Sequence, residues 1–244
     1  MWLLSNKVRV SESGLLEECC DCHCHLLPGV DDGVEKMEET LSILNIWETQ
    51  GISDIWLTPH IMEDYPNTPE ALKTRFLELM KTYKGTIRLH LAAENMMDGL
   101  FFSRLHENYL LPIGETAKKL LVETSYYNPP INMEHIINQI KEHGYTPILA
   151  HPERYQYMGI HDYKKWKQAG VQMQLNLPSL VGAYGYEVMK KAETLLNNGI
   201  YDYCGTDIHS ENAANYFLYS MINKKIIKKV TTQLTQRNKN GDFL

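Results

Sequence analysis

The sequence predicts an α/β fold in which parallel strands alternate with helices, either closed into a barrel or laid out as a doubly wound sheet. Three observations carry that prediction. First, a helix-like segment repeatedly runs into a glycine and then an apolar stretch, at Thr49-Gln50-Gly51-Ile52, Glu142-His143-Gly144-Tyr145, Gln168-Ala169-Gly170-Val171 and Asn197-Asn198-Gly199-Ile200. Glycine suits the residue after a helix because that residue often takes positive φ, so each junction reads as a helix C-cap feeding a strand. Second, candidate strands such as Lys119-Leu120-Leu121-Val122-Glu123 and Pro147-Ile148-Leu149-Ala150 are nearly continuous apolar runs, as expected of parallel strands covered on both faces. Third, histidines and acidic residues recur where those strands end.

In chain order, the first strand covers about 18–25 and carries Asp21-Cys22-His23-Cys24-His25; a helix near 35–50 returns to Gly51. The second strand, 53–59, leads into Thr58-Pro59-His60, followed by a helix near 69–84. The third, 86–94, ends at Glu94, and 95–118 reads only as one short helix and a loop. The fourth, 119–124, ends at Glu123 before a helix near 132–143; the fifth, 146–151, ends at His151 before a helix near 161–169. The sixth, 171–176, precedes a helix near 184–198, and the seventh, 202–207, ends at Asp207, with His209 beyond and a long helix over 211–236.

A chain of 244 residues fits one domain of this kind, with residues 1–15 and 237–244 expected to be peripheral. The net charge of −6 and the lack of a long Lys/Arg cluster argue against nucleic acid or anionic lipid as partner. Met1-Trp2-Leu3-Leu4 is shorter than the roughly 7 to 15 apolar residues of a signal-peptide core, and no stretch reaches the roughly 18 of a membrane span. Five cysteines, four of them crowded at Cys19, Cys20, Cys22 and Cys24, do not form a disulfide framework. A cytoplasmic protein without membrane insertion is the expectation.

Six of the seven strands thus deliver a possible metal ligand to their C-terminal ends, the rim on which βα barrels assemble active sites. In an extended segment, i and i+2 share a face, so Asp21, His23 and His25 should point together. Cys20, Cys22 and Cys24 should then face the other way, under the helices. Imidazoles mixed with carboxylates suit zinc, iron or manganese, and the thiolates of a structural zinc site are missing from that face. Five histidines and four carboxylates exceed the roughly four to six protein ligands that one ion accepts, so two or three ions are implied. Three divalent cations would outweigh the carboxylates Asp32, Glu94, Glu123 and Asp207, which lets an acidic protein attract an anion.

The ordered set Asp21-Cys22-His23-Cys24-His25, Asp31-Asp32-Gly33, Thr58-Pro59-His60, Glu94, Glu123, Ala150-His151-Pro152-Glu153-Arg154-Tyr155 and Gly205-Thr206-Asp207-Ile208-His209 resembles the polymerase and histidinol phosphatase (PHP) superfamily. Within it, the chain is similar to the bacterial tyrosine-protein phosphatases of capsule and exopolysaccharide operons, the CpsB/YwqE type. That resemblance implies a distorted TIM-like (β/α)7 barrel and a trinuclear metal site. Its ligands would be His23, His25, Asp32, His60, Glu94, Glu123, His151, Asp207 and His209, with manganese as the metal and iron or zinc as alternatives. Arg154 corresponds to the catalytic arginine. The implied substrate is a phosphotyrosine protein, a bacterial tyrosine kinase controlling polysaccharide production.

The chemistry expected is in-line attack on phosphorus by a metal-bridging hydroxide, with Arg154 stabilising charge on the phosphoryl group and the departing phenolate. A cysteine nucleophile would need a Cys-x5-Arg loop, and no cysteine has that spacing. Asp31 competes with Asp32 for the ligand role, although a turn with Gly33 also explains it. Asp21 suits a hydrogen-bond partner of the ligands, His90 suits filling of the barrel interior, and Tyr126 and Tyr155 either frame an aromatic substrate or pack. A small-molecule phosphatase of the same superfamily, such as one for histidinol phosphate, is the competing function.

Overall fold

The computed structural model describes residues 6–114 and 116–235. Its strands are β1 (Lys7–Arg9), β2 (Cys20–Cys24), β3 (Asp54–Leu57), β4 (His60–Ile61), β5 (Arg88–Leu91), β6 (Glu94–Met96), β7 (Lys119–Glu123), β8 (Thr146–Ala150), β9 (Gln172–Asn176), β10 (Tyr203–Gly205) and β11 (Met221–Asn223). The helices are α1 (Met37–Thr49), α2 (Pro69–Thr82), α3 (Phe101–His106), α4 (Met133–Glu142), α5 (Ile160–Gln168), α6 (Tyr186–Asn197), α7 (Glu211–Tyr219) and α8 (Lys224–Val230). The four glycines that end helices, Gly51, Gly144, Gly170 and Gly199, all have positive φ, between 65° and 87°. Left-handed backbone there closes each helix and turns the chain into the next strand.

Six parallel strands in the order β10-β9-β8-β7-β6-β4 curl into half of a barrel wall, and a parallel sheet β2-β3-β5 stands beside them. The predicted strand 86–94 divides between the sheets, and the predicted strand 53–59 ends at a break beyond which β4 joins the other sheet. Thr58-Pro59 separates β3 from β4, and Ala92-Ala93 separates β5 from β6. Backbone hydrogen bonds cross both seams. On one side Glu94 N–H, in β6, donates to Thr58 O at 3.3 Å and Pro59 O at 3.1 Å, just beyond β3; on the other Asp207 N–H donates to His23 O at 2.7 Å and His25 N–H to Ile208 O at 3.0 Å. Gly205 permits the second seam, because a Cβ there would lie 2.6 Å from His23 Cβ.

Side-chain alternation splits the apolar residues into two sets. Leu120, Val122, Leu149, Met173 and Cys204 face the helices and join the large core with Ile43, Leu44 and Trp47 of α1 and Ile136, Ile137 and Ile140 of α4. Leu121, Ile148, Ala150, Tyr203, Trp56 and Ala92 form a separate interior cluster that also takes in Cys20 and Cys22. The expectation that Cys20, Cys22 and Cys24 share the helix-facing side is therefore corrected. Only Cys24 lies with the outer core, and the register of β2 on β3 shifts between Asp21 and Cys24. An irregularity of this kind re-aims the residues beyond it, which breaks strict two-residue parity.

Two further expectations change. The helix predicted over 211–236 is interrupted at Ser220–Asn223, where β11 pairs antiparallel with β1 through Val8 and Ile222. Residues 7–15 are accordingly integrated and not peripheral, with Val10 and Leu15 buried. The buried Ile222 decides the break, since pairing with Val8 covers an apolar residue that an uninterrupted helix would place elsewhere. The expectation for 237–244 lies outside the described residues.

Candidate metal centre

Because all the central strands are parallel, their C-terminal ends lie on one side, and there the structure gathers the nine residues singled out as ligands. Ligand atoms of His25, Asp32, His60 and His209 approach within 4.8 Å of one another, as do those of His23, His25, Glu94 and Asp207, and of His60, Glu94 and Glu123. His151 completes the set, with Nε2 2.8 Å from Glu94 Oε1 and 3.7 Å from Glu123 Oε2. The groups overlap at His25, His60 and Glu94. Two of the nine, His151 (φ 32°) and Asp207 (φ 51°), sit in left-handed backbone, which costs non-glycine residues roughly 1 kcal/mol or more and concentrates at functional sites.

Hydrogen bonds behind the ring fix how the imidazoles face it. His23 Nδ1 lies 2.9 Å from Gln174 Oε1, and the Gln174 amide nitrogen donates to Leu175 O at 2.6 Å. The amide oxygen can only accept, so Nδ1 of His23 carries the proton and Nε2 faces the interior. Asp31 does the same for His25, at 2.8 Å from Nδ1, while also accepting from the backbone N–H of Gly33 and His60 at 3.0 Å each. Asp31 is thus committed to turn and orientation, and Asp32, half exposed at the rim, lies 3.4 Å from His60 Nε2 and 3.5 Å from His209 Nε2. Asp21 accepts from the backbone N–H of His23 and from Thr206 N–H and Oγ1–H, which ties β2 to the segment bearing Asp207.

The centre is overloaded with charge as it stands. His23 Nε2 faces His25 Nε2 at 3.1 Å, with Glu94 Oε2 3.3 Å from each. Burial alone would pull the His23 pKa down, but the carboxylates of Glu94 and Asp207 outweigh it and raise it to about 9. His25 is likewise held well above its usual range, burial being outweighed by Asp31, Asp207 and Glu94. Even so, His60 Nδ1 meets Glu123 Oε1 at 3.1 Å and Glu94 Oε2 at 3.3 Å without forming a hydrogen bond, and those three atoms and His151 Nδ1 are buried with no hydrogen-bond partner. Buried polar atoms rarely remain unpaired, and three of these four point among carboxylates and imidazoles. Divalent cations fit such a donor set, because they would satisfy the orphaned atoms and take the place of the protons on the histidines.

Arg154 borders this ring. Its Nη1 donates to Asp207 Oδ2 at 2.8 Å, and its guanidinium carbon lies 4.2 Å from the Tyr126 ring centroid and 4.4 Å from that of Tyr184. Tyr155, by contrast, is fully buried and donates to Ala150 O at 2.9 Å, so it braces the end of β8 and does not frame a substrate. The sequence reading overlooked Gln174, Asn176 and Tyr184. For the first two a signal existed: they occupy the inward parity of β9, the one strand assigned no ligand, and two buried amides on a covered strand demand partners. Nothing in the sequence marked Tyr184.

Known proteins resemble this chain over most of its length. The chain is 25% identical over 230 residues to a putative tyrosine-protein phosphatase, CapC, of Staphylococcus aureus, covering 92% of this chain and 90% of that one. It is 27% identical over 202 residues to the tyrosine-protein phosphatase YwqE of Bacillus subtilis, covering 80% and 79%. A solved structure described with YwqE and with CpsB of Streptococcus pneumoniae, as metal-dependent tyrosine phosphatases, superposes with a TM-score of 0.72 at 22% identity over 89% of this chain and 94% of that one. A phosphotriesterase homology protein of Escherichia coli shares the fold more distantly, with a TM-score of 0.54 at 12% identity over 92% and 95%. The family model for capsular polysaccharide synthesis, CpsB/CapC, matches residues 19–241, and the chain belongs to that family.

Proposed function

We propose that this chain is a metal-dependent protein-tyrosine phosphatase of capsular polysaccharide synthesis, acting on a phosphotyrosine protein and specifically on a bacterial tyrosine kinase. The observation that carries the reading is the buried ring of overlapping imidazole and carboxylate groups, with atoms of His60, Glu94 and Glu123 crowded against one another and lacking hydrogen bonds. His23, His25, Asp32, His60, Glu94, Glu123, His151, Asp207 and His209 would hold two or three divalent ions, manganese first and iron or zinc otherwise. Such ions acidify water and neutralise charge on a phosphoryl group.

The chain's own groups do the rest. Asp31 and Gln174 keep Nε2 of His25 and His23 directed inward. Glu94 reaches both sides of the ring, through Oε1 to His151 and Oε2 to His23, His25 and His60, which suits a bridging carboxylate. Arg154 spends one N–H on Asp207 and retains others for charge on the phosphoryl oxygens and the departing phenolate. Asp207 holds its pKa above the ordinary arginine value despite burial, so Arg154 acts as a fixed cation and not as an acid. Phenolate, with a parent pKa near 10, leaves without full protonation.

Seam hydrogen bonds on both sides of the curled sheet support the finer fold reading, one distorted (β/α)7 barrel of the PHP type forming a single phosphatase domain. A cytoplasmic location is consistent with five free cysteines, all buried, and among the described residues no helix is long and apolar enough to cross a membrane. The test compares kcat/KM on a phosphotyrosine peptide and on histidinol phosphate with manganese supplied. Preference for the peptide is expected, and preference for histidinol phosphate would overturn the substrate assignment. His151→Ala and Asp207→Ala should each lose about a thousandfold in kcat/KM with circular dichroism unchanged; retained activity would refute the site.

A further inference from the structure

Arg154, Asp207, Asn176 and Tyr184 form a closed circuit. Asp207 Oδ2 accepts from Arg154 Nη1 at 2.8 Å and from Asn176 Nδ2 at 2.7 Å; Asn176 Nδ2 donates again, to Tyr184 Oη, at 3.1 Å. The Tyr184 ring then returns to Arg154, whose guanidinium carbon lies 4.4 Å from its centroid. Tyr126 covers the same guanidinium at 4.2 Å. The four residues come from three separate segments: the loop after β8, the end of β9 with the turn that follows it, and the segment after β10.

Stacking on two phenol rings removes water from the guanidinium without supplying acceptors for its N–H groups. The flat cation is confined to a plane, and its freedom to swing towards solvent is lost. Among the described residues the one carboxylate in salt-bridge contact with it is Asp207, whose other oxygen, Oδ1, faces His23 and His25 at 3.5 and 3.4 Å. We infer that Tyr184 and Tyr126 are positioning residues for phosphoryl transfer, with the Tyr184 ring setting, by its stack on Arg154, the distance between the guanidinium and the face of Asp207 that would hold metal. This rests on the phosphatase reading above and adds to it the device that holds the arginine ready before substrate arrives.

Three measurements on the full chain test it, the first two with manganese bound. Tyr184→Ala should lower kcat on a phosphotyrosine peptide by about tenfold to thirtyfold, with KM and manganese affinity within about twofold, and Tyr184→Phe, which keeps the ring, should recover most of the loss. In an Arg154→Ala background, adding Tyr184→Ala should cost less than about twofold, because the effect passes through the missing guanidinium. Additive losses, or a fall in manganese affinity matching the fall in kcat, would overturn the inference. Independently of activity, with diamagnetic zinc in place of manganese, the Arg154 Nε–H should exchange slowly in the wild-type nitrogen-15 spectrum and fast in Tyr184→Ala. Equal exchange in both overturns the positioning role. Absence of wild-type phosphatase activity alongside slowed exchange would instead refute the functional reading and leave the clamp standing.

Discussion

The two ends of the parallel strands hold two clusters of ionisable side chains that behave in opposite ways. At the N-terminal end, Asp54 is buried yet fully answered. Arg88 donates to it twice, through Nε and Nη2 at 2.6 Å each, Ser53 donates at 2.8 Å, and His90 lies 3.1 Å away while stacking on Trp56 at 4.7 Å. Burial pushes the Asp54 carboxyl up, and Arg88 outweighs it, holding the group below its usual range. At the C-terminal end, nine residues converge without a lysine among them, and Arg154 answers only one oxygen of one carboxylate. Between the two lies the apolar layer of Trp56, Ile148, Leu121 and Tyr203. Removing one partner from a cluster that closes on itself leaves a buried charge uncompensated and costs stability, whereas a cluster with atoms lacking hydrogen bonds has them free for a partner from outside the chain.

Breaking the closed cluster should therefore damage stability and spare activity. Arg88→Ala removes two hydrogen bonds to a charged group and should cost about 1.5 to 3 kcal/mol in urea unfolding, with phosphatase activity per folded molecule unchanged. A larger loss of activity than of stability would erase the distinction. The open cluster should respond in metal affinity: Gln174→Ala frees the His23 ring from its fixed tautomer and should weaken manganese binding by about tenfold to a hundredfold, measured by competition with a chelator. Unchanged affinity would mean that Gln174 serves only the sheet.

The smallest effect is a difference in pH response. In chelated protein His23 has its pKa raised from 6.5 to about 9, so its contribution to stability is fully present below 6.5 and is lost as pH rises through 9. Asp54 is depressed, so its contribution is present above the ordinary carboxylate pKa, about 3.9, and is lost as acid takes the pH down through its folded value. The chelated protein should melt several degrees lower at a pH of about 9.5 than at about 6.5, and saturating manganese should remove that alkaline loss, because the ions replace the protons. Persistence of the loss with metal bound would argue against His23 as a ligand.

Much of this was legible in the chain. Alternating strands and helices followed from glycine-closed junctions and continuous apolar runs, both local signals, and the seven strand positions follow from them. The ring residues were legible because a parallel strand exposes its last inward side chain at one rim, so a histidine or acid there has a common destination. Parity failed where the backbone was irregular. The register shift in β2 redirected Cys20 and Cys22 into the interior, and Ser220 to Asn223 left the helix for a strand partner more than 200 residues away in sequence, Lys7–Arg9.

The sequence by itself determined the inventory and the order of the centre: which strand supplies each imidazole or carboxylate, and that none is a thiolate. Only the tertiary structure separated Asp31, held by turn and imidazole, from Asp32 at the rim, buried Tyr155, and brought in Gln174, Asn176 and Tyr184. The physical reason is that ligand type is a property of single residues near strand ends, whereas hydrogen-bond commitment and stacking are properties of neighbours. Asp31 and Asp32 are adjacent and chemically identical in sequence; they differ because His25 Nδ1 and two backbone N–H groups claim one of them, leaving the other at the rim with His60 and His209.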